Sequence, residues 1–372
     1  MWMPAHLLLR LAWLLAAGLA LAACSWGTTN SEVDAGNTGH GFGPPGEHGE
    51  RRITFLDKSH CGRDAEGSLV VYGGQRGLYL IDLERETETR LDSPFLRRFV
   101  SVCYPAMSGR RVAFQAYESD EAEDPGGIAV LNLDTLDGIF LRGTKERSQS
   151  DVFQALVVWK DNRFLNPTDP NPDNRMNSEV YLYDLRTGQE LRITSAPNHQ
   201  VEPKIYGDYV VWQDERDRAQ RDIWAYQLST GRQWNLSDHP ADQWLPDIRA
   251  DQVVWADLRN GTGEAGWIYY NSDIYLHDLR TGELRRITDD PADQEFPRIF
   301  GRYITWNDLR NGSRSVGGGS PSGADVYLYD LQTGEEKRVT WDEYNDGGGI
   351  IAGDKIVWFN GGNLYMKPLD AL

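Results

Sequence analysis

Seven aromatic residues recur along the chain: Tyr72, Phe114, Trp159, Trp212, Trp255, Trp306 and Trp358. Twelve residues before them stand His60, Val102, Arg147, Gln200, Gln243, Gln294 and Asp346. Gathered at one place, the polar members of this set would present hydrogen-bonding groups to a polar ligand. With His199 and His239 close by in sequence, they could also hold a divalent cation for metal-assisted lyase or hydrolase chemistry. No cofactor is otherwise called for. One position further on, Cys61 and Cys103 share a register in the first two units, which leaves a disulfide open to the chain. It would close a loop of about 43 residues and contribute roughly 4 kcal/mol in a chain-entropy account.

A second set is acidic. Asp161, Asp214, Asp257 and Asp308 lie two residues after a tryptophan, and Arg163, Arg216, Arg259 and Arg310 lie two residues further on. Glu179, Asp222, Asp273 and Asp325 then open the following hairpins. Carboxylates in such number suit a hard cation. Each of the first four, however, has a guanidinium nearby, and its repetition in four units favours Asp–Arg pairs that tie blade to blade. No Gly-x-Ser-x-Gly elbow, His-Glu-x-x-His motif or phosphate-binding glycine loop occurs.

An internal repeat sets the elements that must position these groups. LYDLRTGQELRIT (182–194), LHDLRTGELRRIT (276–288) and LYDLQTGEEKRVT (328–340) align without gaps, and weaker copies begin at Leu80, Val130 and Ala225. The Thr-Gly between two alternating runs is a hairpin turn, with glycine supplying the positive φ. A short apolar strand ending in the aromatic precedes each hairpin. Pro105, Pro203, Pro246 and Pro297 lie nine residues before their aromatics, in a further strand. Four strands in about 46 residues, repeated seven times over residues 51–372, match propeller blades.

The last unit stops at Leu372 after three strands, whereas the fragment RRIT at 51–54 stands alone in front of the first. The expectation is an all-β, seven-bladed β-propeller of four-stranded blades, the last blade closed by the N-terminal strand at 51–54. The aromatics then fill the wedges between blades. The polar ring of His60, Arg147, Gln200, Gln243, Gln294 and Asp346 rims one mouth of the central channel. Long loops at 160–178, 256–272 and 307–323 share that face with acidic entry loops carrying Asp238, Asp242, Asp289, Asp290, Asp293, Asp342 and Glu343. On such loops Trp244, Trp267, Tyr269 and Tyr270 would anchor a partner.

In blade 6, Pro297, Ile304–Trp306, Val326-Tyr327, Asp330 and Gly334, with counterparts in the other blades, resemble the TolB-like propeller repeat. The resemblance covers 51–372 and implies the fold. Related seven-bladed propellers include lyases. TolB-type proteins carry six blades and an added α/β domain, and this chain departs from them in both respects.

The first 23 residues form an apolar stretch with Arg10 as their only charge, which reads as a secretory signal. Leu21-Ala22-Ala23-Cys24 resembles a bacterial lipobox, which implies cleavage before Cys24 and its lipidation. Ser25 after the cysteine implies the outer membrane of a Gram-negative cell. Residues 24–50, rich in Gly, Ser, Thr, Asn and Pro, are expected to be a flexible tether reaching about 30 Å. Formal net charge is −18, which disfavours nucleic acid and anionic lipid as direct partners. The expected function is a membrane-anchored, non-catalytic binding or scaffold lipoprotein that presents its loop face to an envelope protein or glycan. The alternative is a propeller enzyme, a metal-assisted polysaccharide lyase or hydrolase working at the channel mouth.

Overall fold

Each repeat folds into one antiparallel sheet whose strands follow chain order from the channel outward. In blade 4 these are Gln200–Tyr206, Tyr209–Asp214, Asp222–Gln227 and Gln233–Asn235. Seven such four-stranded sheets make the protein an all-β, seven-bladed β-propeller. The computed structural model describes the chain apart from residues 1–41, 55–59, 75–76, 122–123, 144, 165–176, 218–219, 262–270, 313–322 and 342–345, and apart from the side chain of His60.

The sequence shows why the strands sort this way. The second strand of each blade is covered on both faces by neighbouring blades, so its apolar residues run on without alternation. Val210, Val211 and Trp212 are all fully buried. The outermost strand faces water, as in Gln189–Arg192, where all four residues are exposed. Charged side chains on that rim discourage pairing with another chain. Among the described residues the apolar core divides into seven clusters, each spanning two adjacent blades. Trp159, Trp212, Trp255 and Trp306 are 0% exposed and fill these wedges as expected.

The ring closes with the N-terminal strand. Arg51–Arg52 is the outermost strand of the last blade, pairing with Asn363–Pro368 in the register Arg51 to Met366 and Arg52 to Tyr365. The Ile53 N–H donates to Leu364 O at 2.8 Å, and the Leu364 N–H donates to Thr54 Oγ1 at 3.1 Å. The packed unit begins before residue 51. Phe42 is buried in the wedge between blades 7 and 1, and the Gly43 N–H donates to Arg52 O at 3.0 Å. His48 lies against Trp341, with ring centroids 5.3 Å apart. Residues 42–50, assigned by composition to the tether, thus lie on the propeller.

Every inner strand carries a bulge. In blade 4 the register jumps from Val201, opposite Gln213, to Lys204, opposite Val211, so Glu202 and Pro203 together face Trp212. The same jump occurs in five other blades, and in blade 1 it comes one residue earlier, with Cys61 and Gly62 together facing Gly73. The bulge residue has positive φ each time: Gly62, Tyr104, Gln149, Glu202, Leu245, Phe296 and Gly348, between 50° and 78°. Pro105, Pro203, Pro246 and Pro297 take the second bulge position, where the ladder asks for no N–H.

Candidate functional site

The bulges decide which side chains reach the channel. The polar ring read from the sequence lies just before them, at the start of each inner strand, and the described members of that ring are buried. Gln200, Gln243 and Gln294 are 0% exposed, and each turns its amide back on its own entry loop. Gln200 Nε2 donates to Pro197 O, Gln243 Nε2 to Ala241 O, and Gln294 Nε2 to Ala292 O. Arg147 stacks over Trp159 and pairs with Asp161 at 3.0 Å. Val102 and Asp346 are buried as well. This correction to the expected rim has a simple cause. Residues at the strand start face the adjoining blade, and the αL kick comes two residues later. His60 opens its strand opposite Gly74, and its side chain lies outside the described residues.

Two positions further along each inner strand, the bulge residues are less buried than these. Inner strands of adjacent blades contact one another all round the ring. From blades 2 to 6 they present Tyr104, Gln149, Glu202, Leu245 and Phe296, with Phe296 51% exposed. Gln149 Nε2 donates to Glu202 Oε1 at 2.6 Å, and the Glu202 N–H donates to Gln149 Oε1 at 3.1 Å, which joins blades 3 and 4. In blades 1 and 7 the bulge position is glycine, Gly62 and Gly348. Close approach explains Gly62, because a Cβ there would sit 2.8 Å from Tyr104 Cα. The neighbouring residues Cys61 and Cys103 form a disulfide, with Cα atoms 4.9 Å apart. Glu295, beside Phe296, is half-buried, and burial pushes its carboxyl above the usual range against the pull of Arg221.

Deeper in the channel the next inner-strand residues carry charge. Asp64, Asp151 and Asp247, in blades 1, 3 and 5, each accept an N–H from the following blade. The donors are Met107 at 2.7 Å, Ile205 at 2.8 Å and Ile299 at 2.9 Å. Burial opposes the charge on Arg298, but Asp247, Asp64 and Asp151 outweigh it and hold the guanidinium protonated. Arg298 lies 3.7 Å from Asp247. The far end narrows. Arg249 of blade 5 reaches across to Glu66 of blade 1 at 3.6 Å, and Phe153 packs on Tyr206 with centroids 4.5 Å apart. A cavity of about 50 Å³ remains there.

The remaining sequence candidates are structural or lie outside the described residues. Asp161, Asp214, Asp257 and Asp308 accept their own blade's Trp Nε1–H at 2.8–3.0 Å. Each also pairs with its own blade's arginine, so the expected ties are made within blades rather than between them. Glu179, Asp273 and Asp325 pair likewise with Arg192, Arg286 and Arg338. Among the described residues no three His, Cys, Asp or Glu side chains are grouped to hold a metal ion. His199 Nδ1 lies 2.8 Å from Ser178 Oγ, and burial, helped by Lys160, depresses its pKa to about 4. Asp293 holds the equivalent place in blade 6, accepting the Ser272 N–H, so the His199 contact follows the repeat. Trp244 is not an exposed anchor. It is 4% exposed, packed in the wedge between blades 5 and 6 under the Arg221 guanidinium. Trp267, Tyr269, Tyr270, Asp342, Glu343 and Cys24 lie outside the described residues.

No family model and no curated protein sequence matches the chain. Solved structures do match. The tricorn protease superimposes with a TM-score of 0.60 at 12% identity over 85% of this chain, which spans 34% of the protease. An oligogalacturonate lyase in complex with manganese gives a TM-score of 0.58 at 15% identity over 89% of this chain and 96% of the lyase. A putative TolB from Agrobacterium tumefaciens gives 0.47 at 14% identity over 64% of this chain and 84% of that one. At such identities the first two likenesses establish a shared propeller fold and nothing of activity, and the TolB superposition is too loose to add to them.

Proposed function

We propose that this chain is a binding module of the cell envelope, anchored through a lipid at Cys24 in the outer membrane, whose propeller mouth engages a protein or glycan. One observation carries the reading. Five consecutive blades hold a non-glycine residue at positive φ, an arrangement disfavoured by about 1–2 kcal/mol per residue, and all five occupy the same bulge position on adjoining inner strands. Strained backbone of this kind concentrates at ligand sites. The side chains offered are two aromatics, an aliphatic and a hydrogen-bonded amide–carboxylate pair, which is the mixed character of a recognition surface. The anchor rests on Leu21–Cys24 and on the low-complexity run that follows them.

The alternative is metal-assisted polysaccharide cleavage. The manganese complex of the lyase keeps it in view, and it would draw on His60. Metal analysis of the purified chain and of a His60→Ala variant tests it. For the binding reading, a photo-crosslinking amino acid at Phe296 in the native envelope should give a discrete adduct. A control at Arg232, exposed on an outer hairpin, should give none. Equal labelling from both positions would end the mouth hypothesis.

A further inference from the structure

We propose that the cleft between blades 2 and 3, on the face opposite the mouth, binds a phosphate group. The cleft has a volume of about 430 Å³ and is lined by Ser108, Gly109, Arg110, Arg111, Gln154, Ala155 and Arg186. Three arginines thus line one cleft on a chain whose net charge is −18.

The repeat supplies an internal control. The turn joining the two inner strands occurs in every blade, and its two residues after the bend are Ser68-Leu69, Arg110-Arg111, Ala155-Leu156, Asp208-Tyr209, Asp251-Gln252, Arg302-Tyr303 and Asp354-Lys355. At the first of these positions an aspartate or an arginine fastens the outer hairpin of its own blade, as Arg302 does with Asp330 in blade 6 at 3.3 Å. In blade 4, Asp208 accepts from the Ser229 N–H and from Gln227 Nε2, fastening the outer hairpin of its own blade. An arginine at the second position occurs in blade 2 alone, so the repeat does not require Arg111. The third arginine comes from the outer hairpin of blade 3.

The three differ in what already satisfies them. Arg110 is 2.8 Å from Asp134, and Arg186 is 2.9 Å from Asp184, both at the exposed rim. Arg111 is half-buried and has no partner among the described residues. A guanidinium with no acceptor keeps its planar fork free for an oxyanion with two oxygens to offer. Ser108 Oγ accepts the Gln154 N–H at 3.1 Å, which leaves its own hydrogen to donate. A phosphate seated on Arg111 and flanked by Arg110 and Arg186 would occupy part of the space, and the rest suits the body that carries it.

The test is titration calorimetry of the full propeller with inorganic phosphate at low ionic strength. Saturable binding is expected in wild type. Arg111→Ala should weaken it about tenfold or more, with Arg111→Lys in between, because lysine keeps the charge and loses the fork. Arg280→Ala, at the corresponding hairpin position of blade 5, should bind as wild type does. Vesicles of phosphatidylglycerol in phosphatidylcholine identify the source. Binding that depends on Arg111 and is displaced by phosphate makes the group a lipid headgroup, whereas phosphate binding without vesicle binding makes it a soluble phosphate ester. No saturable phosphate binding, or equal affinity in Arg111→Ala, overturns the proposal.

Discussion

Truncation at the ring closure gives the sharpest stability prediction. Ile53 is fully buried in the wedge between blades 7 and 1, and its N–H reaches Leu364 O at 2.8 Å. Trimming a buried isoleucine to alanine costs about 2–5 kcal/mol. At about 2 °C per kcal/mol, the low end for a domain of this size, Ile53→Ala should melt about 4–10 °C below wild type. Deleting residues 1–54 removes the fourth strand of blade 7 altogether, together with Phe42 and the Arg51–Glu86 ion pair at 2.7 Å. Deleting residues 1–41 leaves all of this in place. Differential scanning calorimetry should therefore show a larger fall for the longer deletion than for Ile53→Ala, and almost none for the shorter. A synthetic peptide of residues 42–54, added to the longer deletion, should restore part of the loss. Identical melting of the two deletions would refute the closure argument, as would a peptide without effect.

Two further substitutions separate close packing and buried charge from background. Gly62 and Gly67 both have positive φ, 78° and 59°, but a Cβ at 62 meets Tyr104 Cα at 2.8 Å whereas one at 67 meets nothing within 4 Å. In urea unfolding, Gly67→Ala should show only the backbone cost of about 1–2 kcal/mol, and Gly62→Ala clearly more; equal losses would deny the tight contact. Asp64 is pushed up to about 6, chiefly by burial, with Arg298 pulling it down. Unfolded aspartates titrate near about 3.9, so the folded state binds this proton more tightly, and its contribution to stability is lost as pH rises from about 4 to about 6. Asparagine keeps an acceptor for the Met107 N–H. The unfolding free energy of wild type minus that of Asp64→Asn should thus fall across that window and level off above it. A difference independent of pH would show that Asp64 titrates normally in the fold.

The architecture was legible because repetition multiplies a weak signal. One Thr-Gly hairpin is ambiguous, but three in a common register, with seven aromatics behind them, leave a propeller as the consistent reading. RRIT at 51–54 told where the ring closes, since it copies the last strand of another blade. The mouth was not legible. The bulge residues Tyr104, Gln149, Glu202, Leu245 and Phe296 share no chemical type, and what unites them is a backbone angle. The prolines that follow four of them were the available clue. A proline inside a strand next to the channel needs a position that gives up its ladder N–H, and that position is the second residue of a bulge. Counting twelve residues back from the aromatic therefore reached the buried glutamines, two residues short of the bulge. Trp244 misled for a related reason, because a tryptophan near a loop reads as exposed until its neighbouring blade is in place. Cys61 and Cys103 sat in matching registers, a hint of proximity that needed coordinates to supply the 4.9 Å between Cα atoms.

The proposal that ligand recognition resides in the bulge residues is tested most directly by hydroxyl-radical footprinting of the protein in the intact cells that produce it, compared with the purified chain. The account predicts protection of Phe296, Tyr104 and Leu245 in the cells. Leu191 and Leu284, exposed on outer strands at 44% and 39%, should be modified equally in both samples. Protection of the outer strands with the mouth still open to modification would contradict it.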